Sequence, residues 1–190
     1  MNRLEVFWEG AFSWPQYEEV TGLPKLPTKS GVYLQTFQYK DGYLIYAAGI
    51  TRRPVKIPFR EHTRHYMNGE YNVLDVLAVE QGFRKEIWHG WGYAKKHRDQ
   101  FEKRKIEIQD AVRTQLSKFH IFIAEIGAEP RYLERIEASI MNHLSKQSAP
   151  YCEIPDKDMM LAPRWENEER LYIINQRNAR LHGLPDILEI

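Results

Sequence analysis

Residues that can handle a phosphate ester crowd into two short stretches of this chain. Between Gly31 and His65 stand Tyr33, Tyr46, Arg60, His62, Arg64 and His65. Glu134 and Glu137 follow, the latter in the run Arg135-Ile136-Glu137-Ala138-Ser139-Ile140. Histidine titrates near neutral pH and serves as general acid, general base or phosphate donor. A guanidinium fork matches phosphate oxygens. A lone carboxylate suffices for Mg2+, an ion that keeps several waters and shares substrate phosphates. A phenol, with a pKa of about 10, needs a nearby cation before it works as a base.

Spacing groups these side chains. Arg60 and Arg64 lie four apart and His62 and His65 three apart, so each pair shares a helix face. Glu134 and Glu137 are one turn apart. Cys152 is the single cysteine, and the scattered histidines show no zinc-ligand spacing. No glycine-rich phosphate loop, dinucleotide fingerprint or serine elbow is present.

The elements that must position these residues follow from periodicity. Val32, Tyr33, Phe37 and Tyr39, then Tyr43 to Tyr46, favour strand, and Asp41-Gly42 between them is a hairpin turn. Pro54 and Pro58 hold an extended linker, and 59–68 predicts a helix ended by Gly69. Residues 72–80 fit a short helix or a strand, and the glycines of 88–93 a loop. Ile106, Ile108, Val112 and Leu116 are spaced for one buried side of a helix over 95–117. Residues 118–126 are the strongest strand. Pro130 opens a helix to about Lys146, with Leu133, Ile136, Ile140 and Leu144 as its apolar stripe. Three prolines make 147–165 loop-like, and 166–178 reads as helical.

Gly31-Val32-Tyr33, a second strand carrying Tyr46 and Gly49, and a basic helix after it resemble the GIY-YIG nuclease family. The likeness covers about residues 30–150. It implies an α+β fold with a small antiparallel three-stranded β-sheet flanked by helices. Residues 1–30 would be an N-terminal leader packed on the domain, 31–150 the nuclease domain with an insertion at about 70–105, and 151–190 a C-terminal extension. The resemblance implies a metal-dependent DNA endonuclease, with Glu137 holding Mg2+ (or Mn2+). Tyr33 and Tyr46 would orient or deprotonate the water, and Arg60 and His62 would bind the phosphate.

The chain departs from the family pattern at three points. Tyr46-Ala47-Ala48-Gly49 has one residue more than Tyr-x-Gly, so Tyr46 faces the wrong way in a regular strand. A β-bulge at Ala47-Ala48 would turn it back, and otherwise Tyr43 is in phase. The arginine expected four residues before His62 falls on Pro58. No asparagine lies 12 to 15 residues after Glu137. A catalytically eroded module that binds DNA or a protein without cutting is the alternative.

A net charge of +1 gives no global basic field, so attraction to DNA rests on local patches. One runs from Arg52 through Arg53 to Arg64. The other, from Arg84 to Lys105, includes Lys95, Lys96 and Arg98 and carries Trp88, Trp91 and Tyr93, aromatics able to stack on bases. With 43% hydrophobic and 28% charged residues the chain can bury an ordinary core. Glu5 and Glu9 break any signal-peptide pattern, and no apolar run nears the roughly 20 residues of a membrane span. The single cysteine fits a cytoplasmic location.

Overall fold

The computed structural model describes residues 3–127 and 129–190. Its first strand, β1 (Arg3–Ser13), lies where a packed leader was expected. A short helix α1 (Glu18–Thr21) ends at Gly22. The Asp41-Gly42 turn then joins β2 (Gly31–Tyr39) to β3 (Gly42–Thr51), and the basic helix follows as α2 (Lys56–Met67). Both readings of 72–80 are realised, as β4 (Val73–Leu74) and α3 (Val76–Glu80), with the Asp75 side chain capping Ala78 N between them.

After β5 (Glu86–Trp88), the helix expected over 95–117 is split into α4 (Trp91–Lys96), α5 (Arg98–Lys103) and α6 (Lys105–Lys118). His97 and Arg104, at φ/ψ of −122°/37° and −107°/12°, leave helical geometry and mark the breaks. Ile106, counted on the buried side, is 79% exposed, whereas Phe101, Ile108, Val112 and Leu116 are buried. The chain continues through β6 (Phe119–Glu125), α7 (Pro130–Ser145), β7 (Tyr172–Arg177), β8 (Leu181–His182) and β9 (Ile187–Glu189).

The small three-stranded sheet is overturned. One mixed sheet of seven strands, in the order β8-β3-β2-β6-β1-β7-β9, curls into a half-barrel. The antiparallel trio β3-β2-β6 is only its centre. Both ends of the chain extend it: β1 pairs antiparallel with β6, β7 runs parallel to β1, and β8 parallel to β3. The expected helix over 166–178 fails because Ile173 and Asn175 alternate inward as a strand, with Trp8 Nε1 donating to Asn175 Oδ1 at 2.9 Å.

Each sheet face carries its own core. Phe37, Tyr46 and Phe119 pack with Phe59 and Tyr66 of α2 and with Ile108, Val112 and Leu116 of α6 on one side. Leu34, Ile45 and Phe122 pack with Ile136, Ile140 and Leu144 of α7 on the other. A sheet covered on both faces explains the near-continuous apolar run of β3. Among the described residues, no helix is long and apolar enough to cross a membrane.

Candidate active site

The two motif strands fit together through their glycines. Gly31 has φ +140°, and a Cβ there would lie 2.1 Å from the carbonyl oxygen of Ala124 on the neighbouring strand. Tyr33 pairs across the hairpin with Gly49, where a Cβ would come within 2.3 Å of the Tyr33 ring. The bare Gly49 therefore leaves the space that the phenol fills. Tyr33 is held edge-on against Phe59, with ring centroids 5.0 Å apart.

Tyr46 reaches the same side through a bulge. In the β2–β3 ladder Gln35 pairs with Ala47 and Thr36 with Ile45, so Tyr46 is the extra residue. The irregularity sits one position earlier than the Ala47-Ala48 bulge expected from sequence. Its effect is visible in packing: Tyr46 and Ala47 both join the α2-side core, while Ile45 and Ala48 join the other. Tyr43, the alternative tyrosine, packs on the far face against Phe122.

Two helices from opposite faces meet at an open sheet edge. β8 pairs with β3 only at Tyr43 and Leu44, so the stretch from Tyr46 to Gly49 lacks a strand partner on that side. There His62 from α2 and Glu137 from α7 join Tyr33 and Tyr46 around a cavity of about 150 Å3. The Tyr33 hydroxyl and His62 Nε2 are 2.8 Å apart, and His62 Nδ1 is 3.2 Å from the Tyr71 hydroxyl. A phenol–imidazole–phenol relay results.

Burial dominates the electrostatics. It pushes the Glu137 carboxyl up to about 7, helped by Glu134 one turn away. It pushes His62 down to about 4, with His65 adding repulsion. The Tyr33 phenol is raised well above its ordinary value, first by burial and then by Glu137. At neutral pH His62 is an uncharged imidazole with one donor and one acceptor nitrogen. Glu137 has no hydrogen bond or ion pair with any described residue, the condition of a carboxylate that a cation would satisfy. Among the described residues no three or more His, Cys, Asp or Glu form a metal cage. Any ion held here would have Glu137 as its one free carboxylate among the described residues and would take its remaining ligands from water or substrate.

Two residues of this site had no signal in the sequence: Tyr71 arrives on the loop after α2 and Asp156 from the tail, while Trp91, noted there as an aromatic able to stack on bases, enters at the start of α4. The backbone N–H of Asp156 donates to Tyr46 O at 2.8 Å. Its carboxylate accepts from Tyr46 Oη (3.4 Å), Trp91 Nε1 (3.3 Å) and Asn72 Nδ2 (3.3 Å), so it pins three segments together. Burial raises its pKa. Asn72 comes from before Glu137 in the chain rather than after it, and its side chain also accepts from Gly90 N.

Arg60 is not brought to this cavity. Two residues apart on a helix point nearly opposite ways, and Arg60 lines a separate depression of about 560 Å3 with Lys25 and Lys56. Of the candidate DNA contacts, Arg52, Arg64, Lys95 and Lys96 are exposed. Arg53 forms a double hydrogen bond with Glu61 (3.1 and 2.9 Å), and Arg98 donates to Asn68 O (2.7 Å) and Glu102 (3.1 Å). No family model, curated protein or solved structure matches the chain.

Proposed function

We propose that this protein is a Mg2+- or Mn2+-dependent DNA endonuclease of GIY-YIG type. One observation carries the reading: Tyr33, Tyr46, His62 and Glu137, picked from sequence for phosphoester chemistry, line one small cavity although they come from four different elements. Glu137 is the residue that would hold the metal, which when bound supplies charge stabilisation at the phosphate. Tyr33 orients a water toward phosphorus. As the new P–O bond forms and the ester P–O bond breaks, the water proton passes to the Tyr33 oxygen and the phenol proton to His62 Nε2. The leaving alkoxide takes its proton from solvent. An entering phosphate anion favours protonated His62, offsetting the burial that depresses it. Tyr71 orients the imidazole, and Asp156 orients Tyr46.

A second reading, a DNA-binding module without cleavage, is favoured by Arg60 lying in a separate depression, which leaves no guanidinium among the described residues lining the cavity to stabilise a phosphate being cleaved. Nicking of supercoiled plasmid with Mg2+ or Mn2+ separates the two. Wild type should cut and Glu137→Gln should not. Cutting that survives Glu137→Gln sinks the metal assignment. Wild type that retains DNA in a salt-sensitive way without cutting it establishes the module.

A further inference from the structure

A second, larger cavity shares a wall with the first. It has a volume of about 600 Å3, and Tyr71 and Trp91 line both. The two rings lie 5.0 Å apart at 32°, and His65 continues the series 5.2 Å from Tyr71 at 34°. Lys95 and Arg98 stand on the rim. Arg98 is tied to Asn68 and Glu102, whereas the exposed Lys95 ammonium has no partner among the described residues. Glu70 also faces this cavity, its carboxylate paired with His65.

Trp91 is held there against its backbone preference. Its φ is +52°, a left-handed conformation that is rare for a bulky residue and costs of the order of 1–3 kcal/mol. Two polar anchors hold it, its N–H to Glu70 O at 2.6 Å and its indole N–H to Asp156 at 3.3 Å. Trp88 and Tyr93, the other aromatics of the segment, are committed elsewhere. Trp88 is buried and donates to Gly69 O at 2.7 Å, and Tyr93 stacks on His97 at 3.7 Å.

We infer that this second cavity is a nucleotide subsite: a base of the bound strand stacks on Trp91 and Tyr71, and Lys95 takes its phosphate. The inference rests on the nuclease or DNA-binding reading, because the shared wall puts the neighbouring phosphate of that strand at the Tyr33–His62–Glu137 cavity. Flat π-faces accept any base, so the subsite gives grip and register rather than sequence preference. A base lying here must be unstacked from a duplex or already single-stranded.

The test is binding without metal, which separates the subsite from cleavage. A fluorescently labelled eight-residue oligothymidylate in EDTA is followed by anisotropy and by tryptophan emission, with thymidine monophosphate as a second ligand. Wild type should bind the oligonucleotide with quenching. Trp91→Phe should keep the affinity within about threefold but lose much of the quench, and Trp91→Ala should weaken binding about tenfold, as expected for one stacked base. Lys95→Ala, an exposed change that leaves the fold alone, should weaken it and lower its salt dependence. Undiminished quench in Trp91→Phe, unchanged affinity in both alanine variants, binding of the mononucleotide alone, or no binding to wild type overturns the subsite. A protein that nicks plasmid yet lacks the Trp91-dependent signal loses only this inference. One that shows the signal but never cuts loses only the nuclease reading.

Discussion

Helix α7 carries two acid–base arrangements that were built in opposite ways. Near its start, Arg131 donates to both oxygens of Glu168 (2.6 and 2.8 Å) and to the carbonyls of Ala162 and Pro163 (2.9 and 2.7 Å), and it lies over the Trp165 ring. Arg131 holds the Glu168 carboxyl at about 2, well below the usual carboxylate range. Two turns on, Glu137 lines the cavity half-buried, with no donor among the described residues, and burial carries it to about 7. The clamp fastens the tail with every charge answered. The cavity leaves the Glu137 carboxyl without a partner among the described residues, and the proposed metal role rests on that difference.

The contrast is broken most directly at Glu137. Glu137→Gln should reduce plasmid nicking about a hundredfold or more, since a bound metal ion contributes several kcal/mol to the transition state. The same change should stabilise the apoprotein. The native carboxyl binds its proton more tightly than the unfolded chain does, so stability falls as pH rises from 4.5 to about 7 and stays reduced above that. Removing the charge should therefore raise stability at pH 8 by up to about 3 kcal/mol, and by nothing below pH 4.5. Urea unfolding in EDTA at the two pH values measures this. Glu168→Gln should do the opposite, destabilising the protein at neutral pH, with the difference shrinking as acid protonates Glu168 through a pKa of about 2.

His62 sharpens the comparison because its slope has the other sign. Burial lowers it from 6.5 to about 4. Over that range the unfolded chain takes up the proton first, so stability falls as pH drops, by up to about 3 kcal/mol, and levels off below 4. The two buried groups thus offset each other between about pH 4.5 and 6.5. His62→Gln should expose the falling limb of Glu137, and Glu137→Gln the falling-with-acid limb of His62. Parallel stability profiles for the two variants would falsify the shared-burial account.

How much of this was legible in the sequence depends on how local each cause is. The hairpin, α2, β6 and α7 follow from turn chemistry and periodicity, and all appear. Tyr33 and Glu137 were legible because a motif names them. Tyr46 was legible as a problem: the extra residue demanded a bulge, and the ladder has one. β1, β7, β8 and β9 were not legible, because strands such as Tyr172–Arg177 become strands through partners some 170 residues away. Asp156 and Tyr71 were missed for the same reason. Neither sits in a motif, and only the tertiary fold brings them to Tyr46 and His62. Arg60 was misplaced by counting residues from the motif rather than turning the helix, which sends it away from His62.

A smaller effect tests the packing that opens the cavity. Gly49→Ala puts a methyl within 2.3 Å of the Tyr33 ring. Overpacking at a buried ring costs about 1–3 kcal/mol. Removing the ring with Tyr33→Ala in the same chain should recover part of that loss, a coupling readable in a double-mutant cycle. Gly31→Ala should allow no such rescue, because the obstacle there is the carbonyl of Ala124. Additive losses for Gly49 and Tyr33 would mean that the glycine does not make room for the phenol.

The smallest expected effect concerns the far end of the relay. With His62 neutral, one of its nitrogens donates and the other accepts, and the two phenols must complement that choice. If Tyr71 accepts from Nδ1–H, then Nε2 is free to receive the Tyr33 proton. If Tyr71 donates to Nδ1, Nε2 already carries a proton and Tyr33 must be the acceptor. Tyr71→Phe removes the hydroxyl 3.2 Å from Nδ1 and leaves the ring in place. It should cost about 1 kcal/mol of stability, the net worth of one hydrogen bond. Nitrogen chemical shifts of His62 should then reveal the tautomer that Tyr71 selects. A shift pattern with Nδ1 protonated in wild type, lost in Tyr71→Phe together with a several-fold drop in nicking, assigns His62 as the acceptor of the Tyr33 proton. Nε2 protonated in wild type would instead make the imidazole a donor to Tyr33, and would remove it from the proton path.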